Sequence, residues 1–173
     1  ITPQCQVILA HNGMGTFEEV VKLLSPHQPI LAMLTTHGCL RRRELSIEHT
    51  GLGHSDIGLL SGELSLAQQN GLENLLSDAL PTTTFHSNIA NKQWLKLAIN
   101  CVINPLTAIN NIDNGKVNDD KYAEVISLLL TEITIISQKE GINLSVTDLQ
   151  EMVSKVAQAT AKNCSSMRCD VLA

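Results

Sequence analysis

The hydrophobic pattern of this 173-residue chain changes its period once, near residue 88. Before that point, short apolar runs end in turns rich in glycine, proline or asparagine, which is typical of buried strands alternating with short helices. From Asn88 onward, apolar residues recur at three- and four-residue spacing, which predicts helices. The sequence therefore predicts an α/β part, residues 1–87, followed by an all-α part, residues 88–173.

Local signals predict where each element lies within the two parts. The tetrapeptide Thr147–Gln150 matches a capping box, which predicts a helix N-cap at Thr147. Apolar residues from Tyr122 to Ile136 form one stripe at helical spacing, which predicts the inward face of that helix. The basic run Arg41–Arg43 is interpreted as a solvated loop. We predict strands at residues 6–10, 30–36, 46–50, 57–60 and 82–85, and helices at 16–25, 64–80, 88–109, 118–141 and from 147 onward.

Composition excludes several classes of function. The formal net charge is −5, so the chain lacks the basic field that binds nucleic acid or an anionic membrane. Aromatic residues make up only 2%, too few for a platform that stacks single-stranded bases. The apolar runs are much shorter than the roughly 20 residues of a membrane-spanning helix. We therefore predict neither a nucleic-acid partner nor a membrane partner.

The cysteine and histidine spacings argue against a metal centre. The five cysteines include no CxxC pair and the six histidines no HExxH motif, so the sequence predicts no metal site. An odd number of cysteines also argues against a disulfide framework. Reduced thiols in a cytoplasmic protein fit this usage best.

A polar stripe on an apolar helix is the most informative segment. Lys96, Asn100 and Asn104 are four residues apart, so they fall within a sector of roughly 80° on the helix. Asparagine is a weak helix former, which makes two of them in one helix unusual. Pro105 removes a backbone hydrogen bond, so we expect a kink or an irregular end beside Asn104. The stripe faces either a ligand cavity or simply solvent.

Two further places could carry chemistry. Asn12 lies in an HNGMG turn after the first strand, where glycines let a ligand approach the backbone, although the turn could also be an ordinary Asn-Gly turn. Ser165 and Ser166 lie in the last helical segment, where serines often only bond back to the preceding turn. The chain contains neither the GxGxxG dinucleotide motif nor the GxSxG motif of serine hydrolases.

Several segments together resemble the ketopantoate reductase (2-dehydropantoate 2-reductase) family. They are HNGMGT (11–16), TTHG (35–38), KLAINCVINPLTA (96–108), the Asn114–Gly115 pair and NCSSM (163–167), and they follow one another along the whole chain. The resemblance implies a Rossmann-like NADPH-binding domain, of which residues 1–87 would be the rear part. It further implies a helical substrate domain, most of which would be residues 88–173. The glycine-rich first strand and a late glutamate would lie outside this chain, so we expect a fragment that is inactive alone and does not hold NADPH.

The resemblance also implies a role for individual residues. Lys96 matches the catalytic lysine, which would donate a proton during reduction of ketopantoate to pantoate. Substrate-binding positions match Asn100, Asn104, Asn114 and Ser166, and cofactor-binding positions match Asn12 and Cys39.

The implied activity belongs to pantothenate and coenzyme A biosynthesis, with ketopantoate as the small-molecule substrate and a monomer or homodimer as the assembly. Two alternatives stay open at this point. One is a sister reductase that acts on another 2-oxo acid on the same scaffold. The other is a non-catalytic helical module that dimerises through the stripe from Tyr122 to Ile136.

Overall fold

The computed structural model describes Thr2 and residues 4–173. The chain folds into two compact units, Ile1–Gln93 and Trp94–Ala173. The predicted order, an α/β part followed by an all-α part, is confirmed. The division of function at residues 87 and 88 stays a prediction.

The first unit is built on a mixed four-stranded sheet. Its described strands are β1 (Val7–Leu9), β2 (Ile30–Thr35), β3 (Gly38–Arg43), β4 (Ser46–Gly51), β5 (Ser55–Ser61) and β6 (Thr83–His86). The sheet has the order β1-β2-β5-β6, in which β1 pairs parallel to β2, β2 antiparallel to β5, and β5 parallel to β6. The strands β3 and β4 form a separate antiparallel hairpin.

The sheet of the first unit is covered on both faces, which explains its apolar central strand. Leu31 and Ile57 pack on one face, and Ala32 and Leu34 pack with Ile89 on the other. The sequence of a strand that is buried on both faces is a nearly continuous apolar run, as in β2. The described part of this unit also contains the helices α1 (Thr16–Val20), which continues as a 3₁₀ turn, and α2 (Leu66–Ala79).

The Arg41–Arg43 run is a strand, so its interpretation as a loop is wrong. It pairs with β4, and the Arg42 Nε donates to Glu48 Oε2 across the hairpin at 2.6 Å. Both faces of this segment are solvated, and the alternation of polar and apolar residues that marks a half-buried strand is therefore missing.

The second unit packs its helices around one aliphatic core. The helix α3 (Ile89–Asn110) begins in the first unit, and it is followed by α4 (Ala123–Lys139), α5 (Val146–Ala159) and α6 (Ser166–Leu172). Short 3₁₀ turns at Asn114–Asn118 and Asp120–Tyr122 connect α3 to α4. The helices contribute the buried residues Ala98, Val102, Ile103, Leu106, Leu130, Leu149, Val153 and Ala157. Of the helices described from Thr2 and residues 4–173, none is long and apolar enough to cross a bilayer.

One local prediction in this unit is wrong, and another differs from the structure only at its margin. The N-cap of α5 is Ser145, whose hydroxyl accepts from the Asp148 backbone N–H, because the helix begins one residue before Thr147. On α4 the buried face is centred on Leu130, whereas Ile136 at the end of the predicted stripe is 47% exposed. Most of the predicted stripe is nevertheless confirmed, because Tyr122 is buried and Ile126, Leu129 and Ile133 pack against the core.

Close backbone packing in the first unit requires a glycine at position 58. A Cβ added to Gly58 would lie 2.6 Å from both the His86 carbonyl oxygen and the Ile89 Cβ. Neither neighbour can move freely, because His86 belongs to β6 and Ile89 is buried at the start of α3.

We predict that Gly58→Ala lowers the free energy of unfolding by about 1–3 kcal/mol, the usual cost of overpacking a core. Urea unfolding followed by circular dichroism measures the change. Gly71→Ala on α2 is the matched control, since a Cβ there meets nothing within 4 Å and alanine favours the helix. Equal midpoints for the two variants would contradict the packing argument.

Candidate active site

The residues singled out in the first unit lie near one edge of its sheet. Because β1 and β2 run parallel, their carboxyl ends meet at the same edge, where α/β folds commonly bind ligands. Asn12 follows β1 in the turn that leads to α1, and Cys39 follows β2 as the second residue of β3. Both residues are exposed, and Cys39 is paired in register with His49.

The turn that contains Asn12 leaves open space around its backbone. Gly13 and Gly15 have φ angles of 89° and 102°, in the left-handed region that favours glycine. A Cβ added at either position would meet no protein atom within 4 Å. The turn therefore offers backbone that a ligand can approach closely.

A buried carboxylate, that of Asp56, lies near the same edge of the sheet, and no sequence pattern indicated it. Asp56 on β5 accepts from His86 Nε2 at 2.5 Å, and His54 Nε2 and Lys92 Nζ lie 3.3 and 3.7 Å from its oxygens. The carboxylate is 11% exposed, and these partners compensate for its removal from water.

In the second unit, the polar stripe of α3 lies at the margin of the core. Lys96, Asn100 and Asn104 are half-buried, whereas Val102 and Ile103 on the same helix are buried. The stripe is therefore not the solvent face of an ordinary amphipathic helix. At 1.5 Å per residue, about 12 Å of helix separates the first and last members of the stripe. The helix continues through Pro105 to Asn110, so the expected irregular end at Asn104 is not observed.

Thr107 extends this stripe and connects it to α6. Its buried hydroxyl lies 2.7 Å from the Ile103 carbonyl oxygen and 2.7 Å from the hydroxyl of Ser165. Ser165 is the N-cap of α6, and its oxygen accepts from the Arg168 backbone N–H. Ser166 is the first residue of that helix and is exposed. The contact between the two hydroxyls therefore holds the turn that carries Ser166.

Asn114 has an unpaired acceptor in a buried position. Its side chain donates through Nδ2 to Thr160 Oγ1 at 3.0 Å, while its Oδ1 has no hydrogen-bond partner among the described residues. Thr160 donates its own hydroxyl proton to the Val156 carbonyl, which fixes the orientation of the amide. The Asn114 backbone N–H also donates to the Asn163 carbonyl. An unpaired buried acceptor is costly, so Oδ1 is a candidate to accept from a ligand hydroxyl.

An ion pair also fixes α6 to the end of α3. The Arg168 side chain donates to Asp113 Oδ1 at 2.5 Å and to Asn111 Oδ1 at 2.9 Å. Asn111 has a φ of 49°, a left-handed conformation that asparagine tolerates better than most residues. The hydrogen bond to Asp113 is the main reason that the pKa of Arg168 is raised.

Cys101, beside the stripe, is not a candidate nucleophile. Burial raises the pKa of its thiol, because the thiolate would lose hydration there. The thiol therefore stays protonated at neutral pH and reacts poorly.

Contacts join segments that carry predicted site residues of the second unit, and two of the contact residues, Thr107 and Thr160, were not singled out in the sequence. The turn from residue 160 to 166 contacts both the α3 stripe, through Thr107, and Asn114. Thr107, Thr160 and Ser165 supply these contacts. Ser165 was singled out with Ser166, and Thr107 had a signal because it lies three residues after Asn104 on the same helix face, whereas Thr160 had none. Asn12 and Cys39 belong to the other unit.

Comparison with known proteins identifies the family of this chain. The family model described as "Ketopantoate reductase PanE/ApbA" matches residues 1–62, and its "C terminal" counterpart matches residues 88–173. This chain belongs to the ketopantoate reductase family. Membership confirms the resemblance in the sequence and the predicted fold, a Rossmann-like part followed by a helical domain.

Curated relatives extend along nearly the whole chain. The 2-dehydropantoate 2-reductase of Yersinia pestis is 39% identical over 171 residues, covering 99% of this chain and 54% of that protein. The Vibrio cholerae enzyme of the same name is 36% identical over 165 residues, covering 95% and 55%. The chain thus spans about half the length of the curated family members it matches.

Solved structures share the fold at lower identity. A D-mandelate dehydrogenase in complex with NADH superposes with a TM-score of 0.88 at 18% identity, covering 96% of this chain and 56% of that one. The 2-dehydropantoate 2-reductase from Methylococcus capsulatus gives a TM-score of 0.78 at 22% identity, covering 98% and 54%. These structural similarities show the fold of this chain.

We predict that Ser165→Ala lowers the free energy of unfolding of the second unit by about 1–2 kcal/mol. The substitution removes the N-cap of α6 and leaves the buried Thr107 hydroxyl without this partner. Urea unfolding followed by circular dichroism measures the loss. Ser154→Ala, at an exposed position on α5, is the control and should change stability by less than about 0.5 kcal/mol. A loss no larger than that of the control would show that the contact is unimportant.

Proposed function

We propose that the protein to which this chain belongs reduces ketopantoate to pantoate with NADPH, as a cytoplasmic enzyme of pantothenate and coenzyme A biosynthesis. The observation that carries the proposal is the half-buried stripe Lys96–Asn100–Asn104, which the Thr107–Ser165 contact connects to Ser166. Relatives named 2-dehydropantoate 2-reductase support this substrate. A dimerisation module would not require such a stripe, so that alternative is not favoured.

The first unit fits part of a nicotinamide cofactor. The open backbone of the turn at residues 11–15 would contact it beside Asn12, and Cys39 on β3 is the second cofactor-binding candidate. The chain has no GxGxxG cradle for the pyrophosphate, so these residues account only for contacts away from the phosphates. When bound, the cofactor supplies the hydride. A nicotinamide cofactor in the D-mandelate dehydrogenase complex supports this class of group, and NADPH is the form proposed here.

Lys96 is proposed to act on the ketone oxygen of the substrate. Reduction of a ketone places negative charge on its oxygen, and an ammonium group beside it lowers the energy of that state. Lysine then delivers the proton that completes the alcohol. A half-buried position on a helix suits this role, because the backbone that carries Lys96 is part of a helix packed on the core.

Neutral side chains are proposed to bind the rest of the substrate. Asn100 and Asn104 share the α3 face with Lys96 and can donate through their amide N–H groups to a carboxylate. Ser166 can donate or accept through its hydroxyl. Asn114 offers the unpaired Oδ1, which suits the hydroxyl group of ketopantoate. These groups bind an acid without adding charge that would perturb Lys96.

Lys96→Ala in the complete gene product should lower kcat by about 100-fold or more, in the range of charge-stabilising and proton-donating groups. NADPH affinity should be unchanged. Lys96→Arg keeps the charge but holds its proton too tightly, so its kcat should also fall, by about tenfold or more. Lys155→Ala, at an exposed position on α5, is the matched control. Steady-state kinetics that give Lys96→Ala a kcat within about threefold of wild type would remove the lysine from the reaction.

Asn104→Ala and Ser166→Ala should each lower kcat/KM for ketopantoate about tenfold or more, mainly through KM. Each substitution removes a hydrogen bond to the bound acid. Asn110→Ala is the control, because this exposed asparagine on the same helix donates back to the Leu106 carbonyl of its own helix. Initial-rate measurements over a range of ketopantoate concentrations give both constants. Wild-type values for both variants would exclude the two residues from the substrate site.

A further inference from the structure

The helix α4 carries large apolar residues on the side that faces away from the core of the second unit. Its core side is marked by Leu130 and Ser137, which are fully buried. Leu128 and Ile135 lie on the opposite side, seven residues apart and therefore nearly in line along the helix, and they are 65% and 53% exposed. The exposed residues on this side, which we call the outer face of α4, are Glu124, Leu128, Thr131, Glu132, Ile135 and Lys139. The solvent side of an amphipathic helix is normally polar, so the two apolar residues at the centre of the outer face indicate a contact.

The apolar surface extends along one margin of the outer face. Val125 and Ile136 are both exposed, and helical spacing places them beside Leu128 and Ile135. A single exposed apolar residue is normal on a protein surface, whereas several neighbouring ones mark an interaction site.

The polar groups of the outer face do not oppose its burial. The Thr131 hydroxyl donates to the Ser127 carbonyl oxygen of its own helix at 2.7 Å, so it keeps a hydrogen bond when the face is covered. Glu124 and Lys139 lie at opposite ends of α4. Neither of them forms an ion pair with any other residue that the structure describes. Both charges are therefore available to a partner.

The outer face is complementary to itself when two copies of α4 lie antiparallel. A two-fold axis that passes between residues 131 and 132 sets Leu128 against the partner's Ile135, because the two positions are equally far from the axis. The same axis sets Glu124 against the partner's Lys139, and it does so at both ends of the helix pair. A parallel pair in register would bring like charges together instead, which is unfavourable. One antiparallel register thus matches both the apolar and the charged residues, as a two-fold symmetric interface requires.

We propose that the outer face of α4 is an interaction surface for a second copy of this chain, on which two α4 helices pack antiparallel. The helix has 17 residues and is about 25 Å long. Two helices of that length bury a small area for a stable complex, so the dimer is weak and reversible, with a Kd of about 1–100 µM. The proposal rests on the outer face alone and does not depend on the function proposed above.

Glu132 limits the strength of the proposed dimer. It lies on the outer face next to the two-fold axis, so its two copies come close together and repel each other. Glu132→Gln removes this repulsion and keeps the shape of the side chain. The substitution should therefore lower the Kd of the dimer by about threefold or more.

The mass of the complete gene product in solution tests the proposal. Sedimentation velocity over about 1–200 µM protein should show a mass that rises with concentration from one copy to two. Leu128→Ser should raise the Kd by about 30-fold or more, because each of the two copies loses an apolar contact at the centre of the interface. Leu75→Ser is the matched control on α2, since Leu75 is 67% exposed, and it should leave the Kd unchanged. Circular dichroism checks that each variant folds.

Charge reversal tests the antiparallel register. Glu124→Lys and Lys139→Glu should each raise the Kd by about tenfold, because each turns two attractive contacts into two repulsive ones. The variant that carries both substitutions restores opposite charges, so its Kd should return to within about threefold of wild type.

The alternatives give different results in the same experiments. A mass of one copy throughout the concentration range would overturn the proposal. If Leu128→Ser then also lowers the free energy of unfolding well beyond Leu75→Ser, another segment of the gene product covers the face. A dimer that persists in Leu128→Ser would place the interface elsewhere and would equally overturn the proposal. Failure of the double charge variant to recover affinity would exclude the antiparallel register.

Discussion

A hydrogen bond between two buried hydroxyls joins α3 to the start of α6 in the second unit. Thr107 and Ser165 lie 58 residues apart in the sequence, and their oxygens are 2.7 Å apart in the fold. Thr107 is fully buried and Ser165 is 5% exposed, so neither hydroxyl could turn to water if the other were missing. This contact holds the Ser166 turn together with the Arg168–Asp113 ion pair and the hydrogen bonds from Asn114 to Thr160 and Asn163.

The buried face of α3 explains how this helix can also carry a polar stripe. Its buried face, with Ala98, Val102 and Leu106, supplies much of the aliphatic core. Another side of α3 carries the side chains of Asn100 and Asn104. Asparagine weakens an isolated helix because its amide competes for backbone hydrogen bonds. Packing of the apolar face compensates for that weakness. The result is a rigid support for side chains that do not themselves favour a helix.

Much of the fold could be predicted from the sequence, because burial imposes a period on apolar residues. The buried strand β2 and the face of α5 with Leu149 and Val153 follow directly from that rule. The hairpin strand β3 could not be found in this way, since neither of its faces is buried. The cap at Ser145 was misplaced because Thr147 offers an equally good cap in the sequence, and only the packing of α5 distinguishes the two.

The candidate site, like the fold, could be predicted only where a local sequence pattern exists. Lys96, Asn100 and Asn104 share one helix face, so their spacing alone brings them together. Asn114 came from the family resemblance, Ser165 and Ser166 were singled out in the last helical segment, and Thr160 came from neither source. Contacts between residues far apart in sequence leave no local pattern. A serine that caps one helix and also hydrogen-bonds to another cannot be distinguished in the sequence from any other serine.

The turn after α3 restricts which residue can stand at Asn111. Its left-handed backbone excludes most side chains, and its Oδ1 accepts from Arg168, the residue that also pairs with Asp113. Glycine would adopt this backbone conformation but would lose the side-chain acceptor for Arg168. A larger residue would neither adopt the conformation readily nor place an acceptor at the same point. Aspartate alone keeps an oxygen at that place and tolerates the conformation. An exposed residue outside the core can thus be as restricted in its chemistry as a buried one, because its backbone conformation and its side-chain oxygen are both required.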